Sequence, residues 1–202
     1  KWHFSAREGE EFIGDFWLKL IGSHNVANAL AVIACAKRLG VDIEVIRTAL
    51  ATFEGTARRF EIKGKLINAV TLVDDYAHHP GEIVATLKAA RVFYPYKNIR
   101  VVFQPHTFSR TQALLPDFAN AFAEADEVMV LPTYSSAREQ GGGVGSEELV
   151  AQIQTKHPQC SFQPSIAVAA GTLAETANRR DLVITMGAGD IYKVADNITS
   201  IS

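Results

Sequence analysis

Between Val73 and Pro80 the chain reads Val-Asp-Asp-Tyr-Ala-His-His-Pro, which gathers two carboxylates, a phenol and two imidazoles into one short stretch. Imidazole titrates near neutrality, so this set suits proton transfer or the binding of a charged ligand. Helix-start chemistry explains part of it, because Asp caps a helix N-terminus and Pro is favoured in the first turn. Capping uses up one Asp and leaves the other carboxylate, the phenol and the imidazoles over. Adjacent histidines diverge and no third ligand lies at a suggestive spacing, which argues against a metal centre.

Other stretches carry complementary chemistry. In Gln104-Pro-His-Thr-Phe-Ser-Arg-Thr111, Ser109 or Thr111 suits a helix cap, while Arg110 can fork onto a carboxylate or phosphate with His106 beside it. Gly187-Ala-Gly189-Asp190 lacks the third glycine of a dinucleotide fingerprint and reads as a tight turn that lets backbone approach a ligand. Gly141 to Gly143 is followed by no Gly-Lys-Ser/Thr, so it reads as a flexible loop. His24, Asn25 and Asn28 are spaced so that at least two share one face of a helix start, where an Asn amide can both donate to and accept from an adenine edge. Arg58 and Arg59 stand beside Phe60, and solvation is the ordinary fate of such surface arginines.

The elements that must position these groups follow from periodicity. Trp2 to Ser5 and Phe12 to Leu20 alternate as strands, the second with Phe16, Leu18 and Leu20 on one face. A helix is expected from about Asn25 to Leu39 with Val26, Leu30, Ile33 and Lys37 as its stripe and Gly40 ending it; Asp42 caps a second that carries Ile43, Ile46, Leu50 and Phe53. The polar run from Glu61 to Lys65 marks a domain boundary near residue 62. Beyond it, strands near 67 to 73, 99 to 104, 127 to 131, 160 to 163 and 181 to 186 alternate with helices near 80 to 93, 111 to 124, 146 to 156, 165 to 178 and 190 to 198. That alternation predicts an α/β domain with a mainly parallel, doubly wound sheet. Its strands point the same way, so the loops at Asp74 to His79, Gln104 to Arg110, Pro132 to Gly145 and Gly187 to Asp190 should open on one edge, where such folds bind ligands.

Composition excludes several classes. With 48% hydrophobic and 21% charged residues the chain is an ordinary globular protein, and 20 basic against 22 acidic residues leave no footprint for nucleic acid or an anionic membrane. The longest apolar run, Ala29 to Ala36, falls far short of the roughly 20 residues that cross a bilayer. Cys35 and Cys160 have neither CxxC nor Cys/His spacing, which fits a reducing cytoplasm. The chain opens on Lys1-Trp2 and its methionines are Met129 and Met186, so a piece of a longer protein is expected.

In order, Gly22-x-His24-Asn25-x-x-Asn28-Ala29-Leu30, Phe53-x-Gly55-x-x-Arg58-Arg59-Phe60, Asp74-Asp75-Tyr76-x-His78-His79-Pro80, Phe103-Gln-Pro-His106-x-x-x-Arg110-Thr111 and Gly187-Ala-Gly-Asp190-Ile191 resemble the motifs of the Mur ligase family. The match covers essentially the whole chain and is closest to the branch that adds L-alanine to UDP-N-acetylmuramate. It implies that residues 1–62 are the last part of a central ATP-binding domain and 63–202 a C-terminal Rossmann-like domain that brings in the amino acid. The implied reaction belongs to cytoplasmic peptidoglycan synthesis: ATP phosphorylates the lactyl carboxylate, alanine's amine attacks the acyl phosphate, and Mg2+ supports the phosphoryl transfer.

By motif match, the resemblance gives His24, Asn25 and Asn28 to the adenine, Arg59 to the ATP phosphates and Asp75 to the ribose hydroxyls. Tyr76 and His78 would face the reacting centre, His78 orienting or deprotonating the alanine ammonium, with His106 and Arg110 on its carboxylate. Thr107 stands where some members carry a second Arg. The family's phosphate-binding loop, its metal-binding Glu and His and its UDP-binding domain have no counterpart in these residues, so ligation by this stretch alone is not expected. Two rival readings are a ligase for a recovered murein peptide and a stand-alone nucleotide-binding regulatory module.

Overall fold

The computed structural model describes residues 2–65, 69–135 and 144–201. The chain divides into two compact units, Lys1–Ala57 and Arg58–Ser202. The expected boundary near residue 62 lies inside a strand, because the segment from Arg58 onward is already bonded into the second unit through Tyr76 and Asp75.

In the first unit, β1 (Trp2–Glu8) and β2 (Glu11–Leu18) form an antiparallel hairpin, followed by α1 (Ser23–Arg38) and α2 (Ile43–Thr52). Phe16 and Leu18 pack with Ala29, Ile33, Ile46 and Leu50, burying the strand face that the alternation marks. Gly40 takes φ +78 after α1, and the Asp42 side chain accepts from the Glu44 N–H to start α2. The stripe of α1 is rotated from expectation: Ala29 and Ile33 are buried while Leu30 is 41% exposed. The bulky Phe16 and Leu18 fill the interior there, so a small residue faces them. Val32, Ala36, Val41, Val45 and Phe53 line an apolar groove of about 380 Å3 that also includes Asn25 and Asn28.

The second unit is built on a six-stranded sheet. Its elements are β3 (Glu61–Lys65), β4 (Thr71–Asp75), α3 (Pro80–Phe93), β5 (Asn98–Phe103), α4 (Phe108–Ala113), α5 (Leu115–Ala121), β6 (Glu127–Val130), α6 (Ser146–Gln154), β7 (Cys160–Phe162), α7 (Ile166–Thr176), β8 (Asp181–Met186) and α8 (Lys193–Ile201). The strand order is β3-β4-β8-β5-β6-β7, parallel throughout except for the antiparallel β3. Successive strand residues point to opposite faces. Val73, Val101 and Ile184 pack with Ile83, Leu87, Phe118 and Leu149 from α3, α5 and α6. Leu72, Val102 and Val183 pack on the other side with Leu173, Val194 and Ile198 from α7 and α8. Strands covered on both faces are apolar at nearly every position, as in other parallel sheets.

Three expectations change. The edge strand β3 sits in what reads as a polar boundary, since Lys63 and Gly64 mask its pairing, and charged edges protect a sheet from further pairing. The helix expected from 111 to 124 is two, α4 and α5, because Pro116 has no N–H to continue the ladder and opens a new first turn. The first core strand of the series begins at Thr71 rather than 67; residues 66–68 and the Gly141 to Gly143 loop lie outside the described residues. Among the described residues no helix is long and apolar enough to cross a membrane.

Candidate functional site

The pairings Asp75↔Met186, Met186↔Phe103 and Phe103↔Val130 place the ends of β4, β8, β5 and β6 level with one another. Their following loops therefore leave the same edge of the sheet. The Gly187–Asp190 turn lies between the loops after β4 and β5, at the point where the strand order reverses. Close approach dictates its glycines. A Cβ on Gly187, which has φ +149, would sit 2.6 Å from the Gln104 carbonyl oxygen, and one on Gly189 would sit 2.7 Å from Gln104 Oε1 and from the Tyr134 ring.

A row of rings crosses this edge. Tyr76 and His78 meet edge-on at 5.2 Å, His78 and His106 lie 6.0 Å apart, and His106 stacks on Tyr134 at 5.6 Å with a 13° tilt. Backbone bonds fix the last pair: Thr107 N–H donates to the Tyr134 carbonyl at 3.0 Å and Tyr134 N–H to that of Pro105 at 2.8 Å. Thr107 takes φ +70, a conformation that a β-branched residue adopts only when its surroundings impose it, and such strain gathers at functional sites. One turn into α4, Arg110 Nη1 donates to the His106 carbonyl at 3.4 Å.

The start of α3 holds the histidines. The His79 side chain accepts from Gly81 N–H, while Glu82 Oε2 accepts from His78 N–H at 3.0 Å and His79 N–H at 3.2 Å. His79 is thus a cap. Burial pushes the Glu82 carboxyl up, but these N–H groups, His78 and Arg59 outweigh it and hold the group below the usual glutamate range. His78 Nδ1 lies 2.9 Å from the Tyr76 carbonyl oxygen. A carbonyl only accepts, so Nδ1 donates to it, and the tautomer this selects for the neutral ring is the one with its lone pair on Nε2.

The adjacent arginines do opposite things. Arg58 is folded inward, with Nε on Asp74 Oδ2 at 2.9 Å and its other nitrogens on the Gly187 and Gly189 carbonyls at 2.7 and 3.1 Å. Arg59 has a side chain 52% exposed, lying over Tyr76 at 5.5 Å and 3.9 Å from Glu82 Oε1. Asp75 is 4% exposed, and its two oxygens accept from Ala77 and Phe60 N–H at 2.8 Å each. Burial pushes this carboxyl above the usual aspartate range against those two N–H groups and Arg59. A ribose hydroxyl would have to donate to an oxygen already receiving a backbone N–H.

Arg59, Asp75, Tyr76, His78, His106 and Arg110 therefore share one unit and one sheet edge, whereas His24, Asn25 and Asn28 lie in the first unit. Asn25 donates to the Ile21 carbonyl at 2.7 Å and accepts from Asn28 at 3.3 Å, and each NH2 group retains a second N–H that could meet a purine edge. Among the described residues no three His, Cys, Asp or Glu side chains are grouped as metal ligands. Cys160, buried and with its thiol pushed up to about 12, is no nucleophile. Sequence reasoning missed Arg58 and Tyr134. The position of Tyr134 in a loop at the carboxyl edge is the signal that could have found it; two neighbouring arginines offer none.

A domain model described as the Mur ligase glutamate ligase domain matches residues 58–189, which take in Arg59, Asp75, Tyr76, His78, His106 and Arg110. The chain belongs to the Mur ligase family. The UDP-N-acetylmuramate–L-alanine ligase of Desulforapulum autotrophicum is 43% identical over 98% of this chain and 44% of its own length. The Mur ligase of the same name from Caldanaerobacter subterraneus subsp. tengcongensis is 45% identical over 92% of this chain and 40% of its own length. A crystal structure of the Mur ligase UDP-N-acetylmuramate–alanine ligase from Thermotoga maritima superposes with a TM-score of 0.75 at 29% identity, over 93% of this chain and 39% of that one. The chain spans less than half the length of these Mur ligase relatives.

Proposed function

We propose that this chain is part of an ATP-dependent ligase that joins L-alanine to the lactyl carboxylate of UDP-N-acetylmuramate, through an acyl phosphate, in cytoplasmic peptidoglycan synthesis. The first unit, through Ala57, would close its ATP-binding domain, and the unit from Arg58 onward would form its amino-acid domain. The observation that carries the reading is the convergence of an exposed guanidinium, a phenol, two imidazoles and a second guanidinium on one sheet edge, in a chain similar to ligases of that name.

Bound ATP supplies the phosphoryl group that activates the carboxylate. Arg59, with a half-exposed side chain on this edge, could meet its phosphate oxygens, and a fixed guanidinium stabilises charge that builds up during transfer. Asn25 and Asn28, with His24, would read the adenine, and Asp75, which holds the backbone just after Arg59 through Phe60 N–H, would offer its remaining lone pairs to the ribose. The neutral amine is the nucleophile, so the proton of the alanine ammonium must go to a base. In the tautomer that donates Nδ1–H to the Tyr76 carbonyl, His78 Nε2 would supply the lone pair for that work, with Tyr76 beside it. His106 and Arg110 would hold the alanine carboxylate, which fixes the amine's approach. The divalent ion that serves phosphoryl transfer, Mg2+, is assigned no ligand among these residues.

The test is made on the full-length protein: product formation from ATP, UDP-N-acetylmuramate and labelled L-alanine, with one ADP released per amide formed. ADP release that ignores alanine, or a preference for a preformed murein peptide as acceptor, would overturn the reading.

A further inference from the structure

We propose that Arg58 is a positioning residue for both substrates: it touches neither, yet it locks the turn that carries Arg59 to the glycine loop after β8 and to the Tyr76 ring. The proposal rests on the ligase reading above. Its basis is the number of independent parts that one guanidinium, on a side chain only 20% exposed, joins. Nε neutralises Asp74, a carboxylate with no exposure whose other oxygen accepts from Thr185 Oγ1 at 2.7 Å. Nη1 and Nη2 hold the carbonyls of Gly189 and Gly187, residues 131 and 129 positions further along the chain. The planar group is also clasped between the Tyr76 ring at 5.1 Å and the Tyr192 ring at 5.3 Å.

The backbone of Arg58 is used as well. Its N–H donates to Glu61 Oε2 at 2.9 Å, and its carbonyl accepts from Tyr76 N–H at 2.7 Å. Arg58 and Phe60 sit at φ +61 and +50, so left-handed residues flank Arg59 on both sides. Non-glycine residues hold that conformation when surrounding bonds over-determine it, and here those bonds are the Arg58 fork and the grip of Asp75 on Phe60 N–H. The outward course of Arg59 is therefore a product of the inward course of Arg58. Lysine cannot replace it: an ammonium is a point donor without a flat face, unable to span Asp74, Gly187 and Gly189 while stacked between two rings.

Two sides of the site meet in this residue. The turn and Tyr76 belong to the side that faces phosphate, and the Gly187–Gly189 loop packs on Gln104 and Tyr134 beside His106. Substitutions at the neighbouring arginines should therefore leave different signatures. In the full-length ligase, Arg58→Lys is expected to lower kcat/KM for ATP and for alanine together, each by about tenfold or more, since small misplacements of a reacting group cost that much. Arg59→Lys should change the ATP constants and leave the alanine KM within about twofold. Calorimetry with ATP alone gives a readout apart from turnover, and Arg58→Lys should weaken that binding severalfold.

A lower Tm for Arg58→Lys, with both KM values, kcat per folded molecule and ATP binding within about twofold of the parent, would show a purely structural arginine and overturn the proposal. If Arg58→Lys does not fold, Tyr192→Leu removes one ring at a 39% exposed position and keeps the hydrogen bonds. It should give a smaller loss, about threefold, in the same two constants, and no change in either would overturn the proposal. An unsubstituted protein that forms no alanine amide defeats the ligase reading instead, which separates the two failures.

Discussion

Both ends of the six-stranded sheet are crowded with polar side chains, and they use them differently. At the amino ends of β5, β6 and β8, Arg100 bonds Glu127 at 2.5 Å and Thr176 at 2.9 Å and lies 3.5 Å from Asp181. Asp181 accepts from Asn98 and Asn178, and Asp126 from Ile99 N–H and Arg91, around a recess of about 360 Å3. At the carboxyl ends, Arg59 is half exposed, the ring row from Tyr76 to Tyr134 is partly exposed, and Thr107 is strained. The amino end spends its charges on its own neighbours, while the carboxyl end keeps some in reach of a ligand. Polar density alone does not mark a site; what the charges are already bonded to does.

That contrast can be broken by substitution. The largest effect is expected at the amino end: Asp181→Ala leaves Arg100 buried with a lost partner and should cost about 3 kcal/mol in urea unfolding. In the full-length protein, under the proposed ligase reading, it should leave the KM values unchanged below the unfolding transition, and a specific rise in one of them would make the amino end functional after all. Next, if Arg110 holds the alanine carboxylate as proposed, Arg110→Ala should raise the alanine KM about tenfold or more, with the ATP KM little changed. Equal rises in both would remove Arg110 from the alanine side.

Glu82→Gln tests the foundation of the carboxyl end. The folded Glu82 carboxyl is held below its ordinary 4.5, so the stability linked to it is present above that value and is lost as pH falls through the folded one. Unfolding at pH 7 should show a loss of about 1 kcal/mol for the variant, and the gap should close in acid. A gap that persists at low pH would mean that packing, not charge, carries the contribution. The smallest effect belongs to Tyr134→Leu, which takes away the stack on His106; the alanine KM should rise about threefold with little change in stability. An unchanged KM would leave Tyr134 outside the site.

Much of this architecture was legible in the sequence. Pro80–Phe93 was read to the residue, because a proline in the first turn and an apolar period agree there. The convergence of Asp75, His78, His106 and Arg110 followed from strands that all run one way. Local pattern could not reveal β3, whose lysine and glycine look like a linker, or the break before Pro116 in a continuous apolar period. Nor could it separate Arg58 from Arg59: the partners that turn one inward come from β4 and from a loop more than a hundred residues away. Strand order was hidden for the same reason, since it depends on long-range pairing.

The place of β8 bears on how the protein comes into being. It is the last strand of the sheet in sequence, yet it lies between β4 and β5. While the chain is being synthesised, β3–β4 and β5–β6–β7 can each pair within themselves but share no hydrogen-bonded border until Asp181–Met186 emerges. Until then two apolar strand edges stand open, the condition under which nascent chains stick to one another. Losing those six residues would not trim the sheet; it would leave two half-sheets with no strand to join them.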